Sequence, residues 1–355
     1  MAHPFLAALG VRHPIVLAPL GGGPSTPELV AAVSGAGGLG LHGASYQTPE
    51  QLRATIARIH ALTDRPFGVN LFAGGHPGVV SAEPGPMLEL LGGIHARLGI
   101  PPPATPTLAP DPFPEQLEVV LETRPPVFSF TFGMPSTEAL AALRARGIRT
   151  LGTATTAGEA RMLAAAGVDA VLAQGAQAGG HRGTFAVPFQ AAMLPTLELV
   201  REIAELVRGL PIVAAGGLMD GRDVLAALQA GAEAAALGTA FLACPESGAS
   251  QVHKRALTAA GADRTVITRA FSGRPARALE NAFTRELAAR EAAILPYPLQ
   301  NALTRPMRTA AAGQGDADHL SLWAGTGVAR IRALPAAALV QCLVEELAAA
   351  RAVAR

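Results

Sequence analysis

The stretch PIVAAGGLMDGRDVLAALQAGAEAAALGTA, residues 211–240, contains one complete structural unit. Its first apolar run ends on Gly216 and Gly217. A helical pattern follows from Asp220 to Gly231. Aspartate is a good N-cap, and glycine tolerates the left-handed conformation in which many helices end. A second apolar run, AAALGT (234–239), comes next. Neither run alternates polar with apolar residues, so each strand is expected to be buried on both faces. Strand, helix and strand of this kind make a parallel βαβ unit.

The same rhythm extends towards the N-terminus. Earlier apolar runs are PIVLAPL (14–20), GLGLHG (38–43), FGVNLF (67–72), VFSFTF (127–132), RTLGTA (149–154) and AVLAQG (170–175). Helical stretches such as TPEQLRATIARIHAL and TAGEARMLAAAG lie between them. About eight such units favour an α/β fold of the (β/α)8 TIM-barrel type over an open doubly wound sheet. The first strand–helix turn reads GGGPST instead of GxGxxG, which argues against a dinucleotide-binding Rossmann domain.

Two segments break the rhythm. Residues 74–114 form a Pro/Gly-rich insertion with one short helix expected near 86–98. Residues 243–333 are too long for a loop and include the helix-like ENAFTRELAAREAAIL (280–295). The expected organisation is a barrel over 1–242, a small cap or subdomain over its C-terminal mouth at 243–333, and a C-terminal helix at 334–355 that packs back on the barrel.

Composition narrows the function. The chain has 355 residues, 50% of them hydrophobic, which is ample for a large core. A net charge of +1 without like-charge blocks gives nucleic-acid binding little support. No apolar run reaches the roughly 18 residues of a membrane span. The N-terminus lacks the pattern of a signal peptide. Cys244 and Cys342 are far apart and offer neither a disulfide framework nor zinc spacing, so no metal site is expected and a cytoplasmic location is.

The chemistry concentrates at the strand ends. AAGGL (214–218) and LGTAF (237–241) close the last two runs, which are neighbours in a barrel. Backbone N–H groups at such glycine-rich ends make an anion site, and Thr239 adds a hydroxyl. The plainer reading is that Gly216 and Gly217 only cap a strand. Asn70 and Gln174 end the third and sixth runs, and a planar heterocycle with several donors and acceptors would satisfy both amides. Bonds to loop backbone would satisfy them as well. His181, in AQGAQAGGHRGTF (173–185), is a candidate base or cationic donor at the same end. His42, after the second run, reads equally as a site or a packing residue. His3, His13, His60, His76, His95, His253 and His319 have no comparable context and read as surface or loop residues.

In order, PIVLAPLGGGPSTPELVAAVSGAGGLG, FGVNLF, VFSFTFGMP, AQGAQAGGHRG, PIVAAGGL and LGTAFLAC resemble the nitronate monooxygenases over nearly the whole chain. PYPLQNALT (296–304) and SLWAGTG (321–327) resemble C-terminal motifs of the class I members. The resemblance implies one non-covalent FMN. It places the flavin against Ala18, Pro19, Asn70, Gln174, Gly179, Gly180, Gly216, Gly217, Ala236, Leu237, Gly238 and Thr239. It makes His181 the catalytic residue and His42, Tyr297 and Thr326 candidate substrate contacts. The implied reaction oxidises an alkyl nitronate, of the propionate 3-nitronate type, with O2 to a carbonyl compound and nitrite. The implied protein is a monomer or homodimer. Two positions depart from the family pattern: Leu17 replaces a glutamine and Thr326 replaces another.

Flavin-dependent NAD(P)H:quinone and enoyl reductases of the same fold are similar in the histidine and glycine-rich loops. A barrel that binds a sugar phosphate or nucleotide without flavin also fits the anion site. Against it, the only lysine, Lys254, lies outside the strands, where no Schiff-base aldolase would want it.

Overall fold

The computed structural model describes residues 4–75, 82–262 and 264–354, so His3 and His76 lie outside the described residues. Eleven strands occur among these: β1 (Ile15–Leu17), β2 (Leu39–Gly43), β3 (Phe67–Phe72), β4 (Val127–Thr131), β5 (Arg149–Ala154), β6 (Ala170–Gln174), β7 (Gly180–His181), β8 (Ile212–Ala215), β9 (Ala234–Leu237), β10 (Thr265–Thr268) and β11 (Ala276–Leu279). Eight of them close a parallel barrel in the order β1-β2-β3-β4-β5-β6-β8-β9. Val16 shows the closure, facing Leu39 of β2 on one side and Ala236 of β9 on the other. The expected (β/α)8 barrel is therefore present, and each of its strands falls within one of the eight apolar runs.

Alternation along the strands separates two cores. Ile15, Leu17, Val69, Phe128, Phe130 and Leu237 point outward to the helices. Val16, Leu39, Val127, Leu151, Leu172, Val213 and Ala236 fill the barrel interior. Phe5 and Leu6 of the short helix Pro4–Ala8 plug the N-terminal end of that interior. The Glu233 carboxylate holds the plug by accepting from the N–H groups of Phe5 and Leu6.

The two interruptions pack together. The insertion contains the helix Gly85–Leu98, close to its expected span. Its Met87, Leu91 and Ile94 share a core with Phe271, Phe283, Leu299, Leu303 and Met307. β7, β10 and β11 form a separate three-stranded sheet with β11 in the middle. The helix expected over 280–295 is shorter: Asn281 caps it, and it runs only Ala282–Ala288 before a 3-10 turn at Glu291–Ala293. The longer helix of this region is Leu299–Gln314, which carries Pro306 inside it. That proline argues against a helix on sequence grounds. The C-terminal helix Ala336–Val353 packs on the helices Gly221–Gln229 and Pro27–Gly35. Gly221 permits the approach, since a Cβ there would lie 2.3 Å from the Leu347 nitrogen. Among the described residues no helix is long and apolar enough to cross a membrane.

Candidate active site

A cavity of about 840 Å³ lies at the C-terminal ends of the barrel strands. Its floor is the last inward-facing layer of the barrel, including Asn70, Thr131, Thr153, Leu172, Gln174, Ala215 and Ala236. Its walls come from the loop 18–27, from residues 178–181 and from later segments that supply His253, Asn301, Arg305, Arg308 and Trp323.

One wall is a glycine cradle. Gly216 (φ +127°) and Gly217 (φ +73°) both take backbone conformations that favour glycine. A Cβ on Gly216 would lie 2.8 Å from Thr196 Oγ1 and 2.9 Å from the Ala178 nitrogen. The N–H groups of Gly216, Gly217 and Gly238 have no backbone acceptor among the described residues. Thr239 Oγ1 accepts from the Gly325 N–H at 2.9 Å, which leaves its own hydrogen to donate. Unpaired amides beside close-packed glycine make a site for a phosphate-sized anion.

The two amides behave differently. Asn70 donates to Ser129 Oγ at 3.0 Å and Thr131 Oγ1 at 3.3 Å, and its carbonyl oxygen has no partner among the described residues. Gln174 uses one donor and one acceptor on the histidine loop: it donates to the His181 carbonyl at 2.9 Å and accepts from the Gly183 N–H at 2.8 Å. Its amide therefore fixes the histidine loop.

That loop is tied down despite its glycines. Arg182 is buried and donates to the carbonyls of Gly175 (2.6 Å), Gln174 (2.9 Å) and Ala192 (2.8 Å). The buried Glu159 carboxylate accepts from Thr155 N–H and Oγ1, from Thr184 Oγ1, and from the N–H groups of Phe185 and Ala186. Burial opposes its charge, but the hydrogen bonds from Thr155, Ala186 and Phe185 outweigh it and hold the carboxyl below its ordinary range.

His181 faces the cavity from this frame. Its Nε2 lies 2.8 Å from Ser272 Oγ. The ring stands between Phe132 (centroids 6.0 Å apart) and Trp323 (5.1 Å). Burial pushes its pKa down to about 3, helped by the positive charges of Arg274 and Arg308. The imidazole is therefore neutral at physiological pH. Phe132 reaches its place with φ +73°, a strained value for a side chain of that size. Arg274 stacks on the Phe132 ring at 3.8 Å.

A group of guanidinium ions surrounds this point. Arg308 donates to the carbonyl and side-chain oxygens of Asn301 at 2.8 and 2.9 Å. Its Nε is buried without a partner. Burial lowers its pKa to about 10, where it still carries its charge at neutral pH. Arg305 lies over the Tyr46 ring at 5.9 Å. Among the described residues no carboxylate pairs with Arg274, Arg305 or Arg308. Arg305 is exposed and Arg274 and Arg308 are partly buried, and a partly desolvated cation without a counter-ion gains from an incoming anion.

Most of the expected site residues meet here. Ala18, Pro19, His42, Asn70, Gln174, Gly179, Gly180, His181, Gly216, Gly217, Ala236, Gly238 and Thr239 all line the cavity. Leu237 does not, because its side chain belongs to the outward layer, as does that of Leu17. Tyr297 stands behind the lining, hydrogen-bonded to Tyr46, which does line the cavity. The Thr326 hydroxyl lies 3.1 Å from where a Cβ on Gly217 would stand. His42 is buried, with Nδ1 at 2.5 Å from the Ser25 carbonyl and Nε2 at 3.2 Å from Gln47 Oε1.

Two histidines read as surface or loop residues are buried instead. His95 lies on an inward face of its helix, with Nδ1 2.6 Å from the Pro101 carbonyl. His253 lines the cavity, its Nε2 is 3.2 Å from the Trp323 carbonyl, and burial lowers its pKa to about 4. The arginines were also missed, although a signal exists. Asn301, Arg305, Arg308, Thr309 and Ala312 recur at helical spacing on one face, and Leu299, Leu303 and Met307 form the other.

Fold and cavity together define an enzyme of the (β/α)8-barrel class with its site at the C-terminal strand ends. A family model described as nitronate monooxygenase matches residues 3–346. The chain is 45% identical to a nitronate monooxygenase from Pseudomonas aeruginosa, over 98% of this chain and 99% of that protein. It is 42% identical to one from Paraburkholderia phytofirmans, over 96% of this chain and 94% of that protein. Among solved structures, a nitroalkane oxidase from Streptomyces ansochromogenes superposes with a TM-score of 0.92 at 45% identity, covering 99% of this chain and 100% of that one. FabK from Thermotoga maritima is more distant, at 0.78 and 29%, covering 100% of this chain and 99% of that one. The chain belongs to the nitronate monooxygenase family.

Proposed function

We infer that the protein binds FMN and oxidises small anionic alkyl nitronates with O2, releasing nitrite and a carbonyl compound. One observation carries the substrate reading. The cavity sets a neutral histidine beside guanidinium ions that no described carboxylate neutralises. An uncharged substrate would leave Arg308, whose Nε is buried without a partner, without an anion to pair with.

The residues present fit FMN. The unpaired N–H groups of Gly216, Gly217 and Gly238 with the Thr239 hydroxyl suit a phosphate. Ala18, Pro19, Ala236 and the free Asn70 carbonyl line the space a flat ring requires. The flavin supplies the electron chemistry. The chain's own residues orient and neutralise. Arg305 and Arg308 attract the substrate's negative charge, and a second anionic group, as in propionate 3-nitronate, gives each guanidinium a partner. His181 lies beside the reacting end. A nitronate is already deprotonated, so it needs no base. The similarity to a nitroalkane oxidase extends the reading to neutral nitroalkanes, from which His181 would take a proton.

The test is purification in air, a visible spectrum, and nitrite release from propionate 3-nitronate. A yellow protein that releases nitrite supports the reading. A colourless protein, or a yellow one that consumes NAD(P)H and releases no nitrite, overturns it.

A further inference from the structure

Ser272 lies behind His181, in the tight turn between β10 and β11, and is 1% exposed. The turn is rigid. The Gly273 N–H donates to the Arg269 carbonyl at 2.8 Å, and Arg269 Nε donates to the Gly273 carbonyl at 3.1 Å. Gly273 has φ +81°, and a Cβ there would lie 2.4 Å from the Leu295 carbonyl oxygen, so no side chain is tolerated. The serine cannot drift away from the histidine.

Its hydroxyl makes three contacts: His181 Nε2 at 2.8 Å, the Arg274 carbonyl at 3.2 Å and the Arg274 N–H at 3.2 Å. A hydroxyl has one hydrogen and two lone pairs. The Arg274 N–H can only donate, so it uses one lone pair. The Arg274 carbonyl can only accept, so it takes the hydrogen. The remaining lone pair faces Nε2, which must then donate. The opposite choice would set a carbonyl oxygen against a hydroxyl oxygen with no hydrogen between them.

We propose that Ser272 is a positioning residue that holds His181 in the tautomer with hydrogen on Nε2, so that Nδ1 offers a lone pair to the cavity as a proton acceptor. Among the described residues Nδ1 has no hydrogen-bond partner, and it is not sealed from the cavity. The inference rests on the nitronate reading for its substrate, and the tautomer itself does not. With a neutral nitroalkane, the C–H bond next to the nitro group breaks and its hydrogen bonds to Nδ1. The electron pair moves into the nitro group, giving nitronate and imidazolium with no change in oxidation state. Positive Arg308, which lines the cavity, stabilises the new nitronate, and its negative charge stabilises the imidazolium beside it.

The experiment uses FMN-saturated protein with nitrogen-labelled histidine rings. The His181 signals are assigned by their loss in His181→Asn. The expected result is a protonated Nε2 and a bare Nδ1 in the native protein, with that preference lost in Ser272→Ala and restored in Ser272→Thr. Kinetics are compared on nitroethane and ethylnitronate, which differ by the proton in question. In Ser272→Ala the ratio of the two kcat/KM values should fall on the order of 10- to 100-fold. That is less than the ~10⁴-fold a wholly wrong tautomer costs a general base. A hydrogen on Nδ1 in the native protein overturns the proposal, and so does an equal loss on both substrates in Ser272→Ala. If the native protein oxidises ethylnitronate but not nitroethane, the acceptor role falls and the nitronate reading stands. If it oxidises neither, that reading falls while the ring spectrum still decides the tautomer.

Discussion

At the scale of single residues, the site depends on charges placed where water is excluded. Burial, helped by the nearby positive charges of Arg274 and Arg308, brings the His181 pKa down to about 3. A base works in its neutral form, and a lowered pKa extends that form to lower pH. Turnover of a nitroalkane should therefore stay level between about pH 8 and pH 5, where an unperturbed imidazole would lose activity near 6.5. An inflection near 6.5 in the pH–rate profile would contradict this. His181→Asn should retain its flavin and lose about 10²-fold or more of nitroalkane turnover. Arg308→Met should raise KM for propionate 3-nitronate by about 10- to 100-fold with a smaller effect on kcat, the worth of one hydrogen bond to a charged group. An unchanged KM would remove Arg308 from substrate recognition. Glycine and histidine at strand ends are legible in sequence because their chemistry is local. Arg305 and Arg308 are not, because only the packing of their helix shows that no carboxylate faces them.

At the scale of elements, the loop after β6 shows why a glycine-rich segment can still be stiff. Glu159, Arg182 and the Gln174 amide bond to its backbone from three sides. Glu159→Gln should destabilise the fold by about 3 kcal/mol, since several buried donors lose a charged acceptor. A thermal melt would then shift on the order of 5 °C. An unaltered melt would show that the loop is held elsewhere. The barrel strands were readable because buried parallel strands are continuous apolar runs closed by glycine. β7, β10 and β11 were not. They are two to four residues long and half-buried in part, and the pairing of β7 with β11 joins segments about a hundred positions apart. The helix Leu299–Gln314 was hidden by Pro306, which packing of its Leu303 and Met307 face overrides.

At the scale of the whole molecule, the barrel supplies a floor, and the 243–333 segment supplies Arg305, Arg308 and Trp323 to the cavity, with the insertion helix Gly85–Leu98 packed on that segment. The C-terminal helix packs outside the barrel on the helices Gly221–Gln229 and Pro27–Gly35, and Leu343→Ala there should cost about 2–5 kcal/mol without altering the flavin spectrum. Acid should weaken the fold. His181 and His253 have folded pKa values of about 3 and about 4, against an ordinary 6.5. The unfolded chain binds their protons first, so their contribution is complete above pH 6.5 and is lost as pH falls towards those values. The central claim is that a nitronate, and not a nicotinamide, is the reductant this cavity accepts. Anaerobic mixing tests it most directly. The account predicts that propionate 3-nitronate bleaches the bound flavin and that NADH and NADPH leave its absorption unchanged. Bleaching by either nicotinamide, with none by the nitronate, would contradict it.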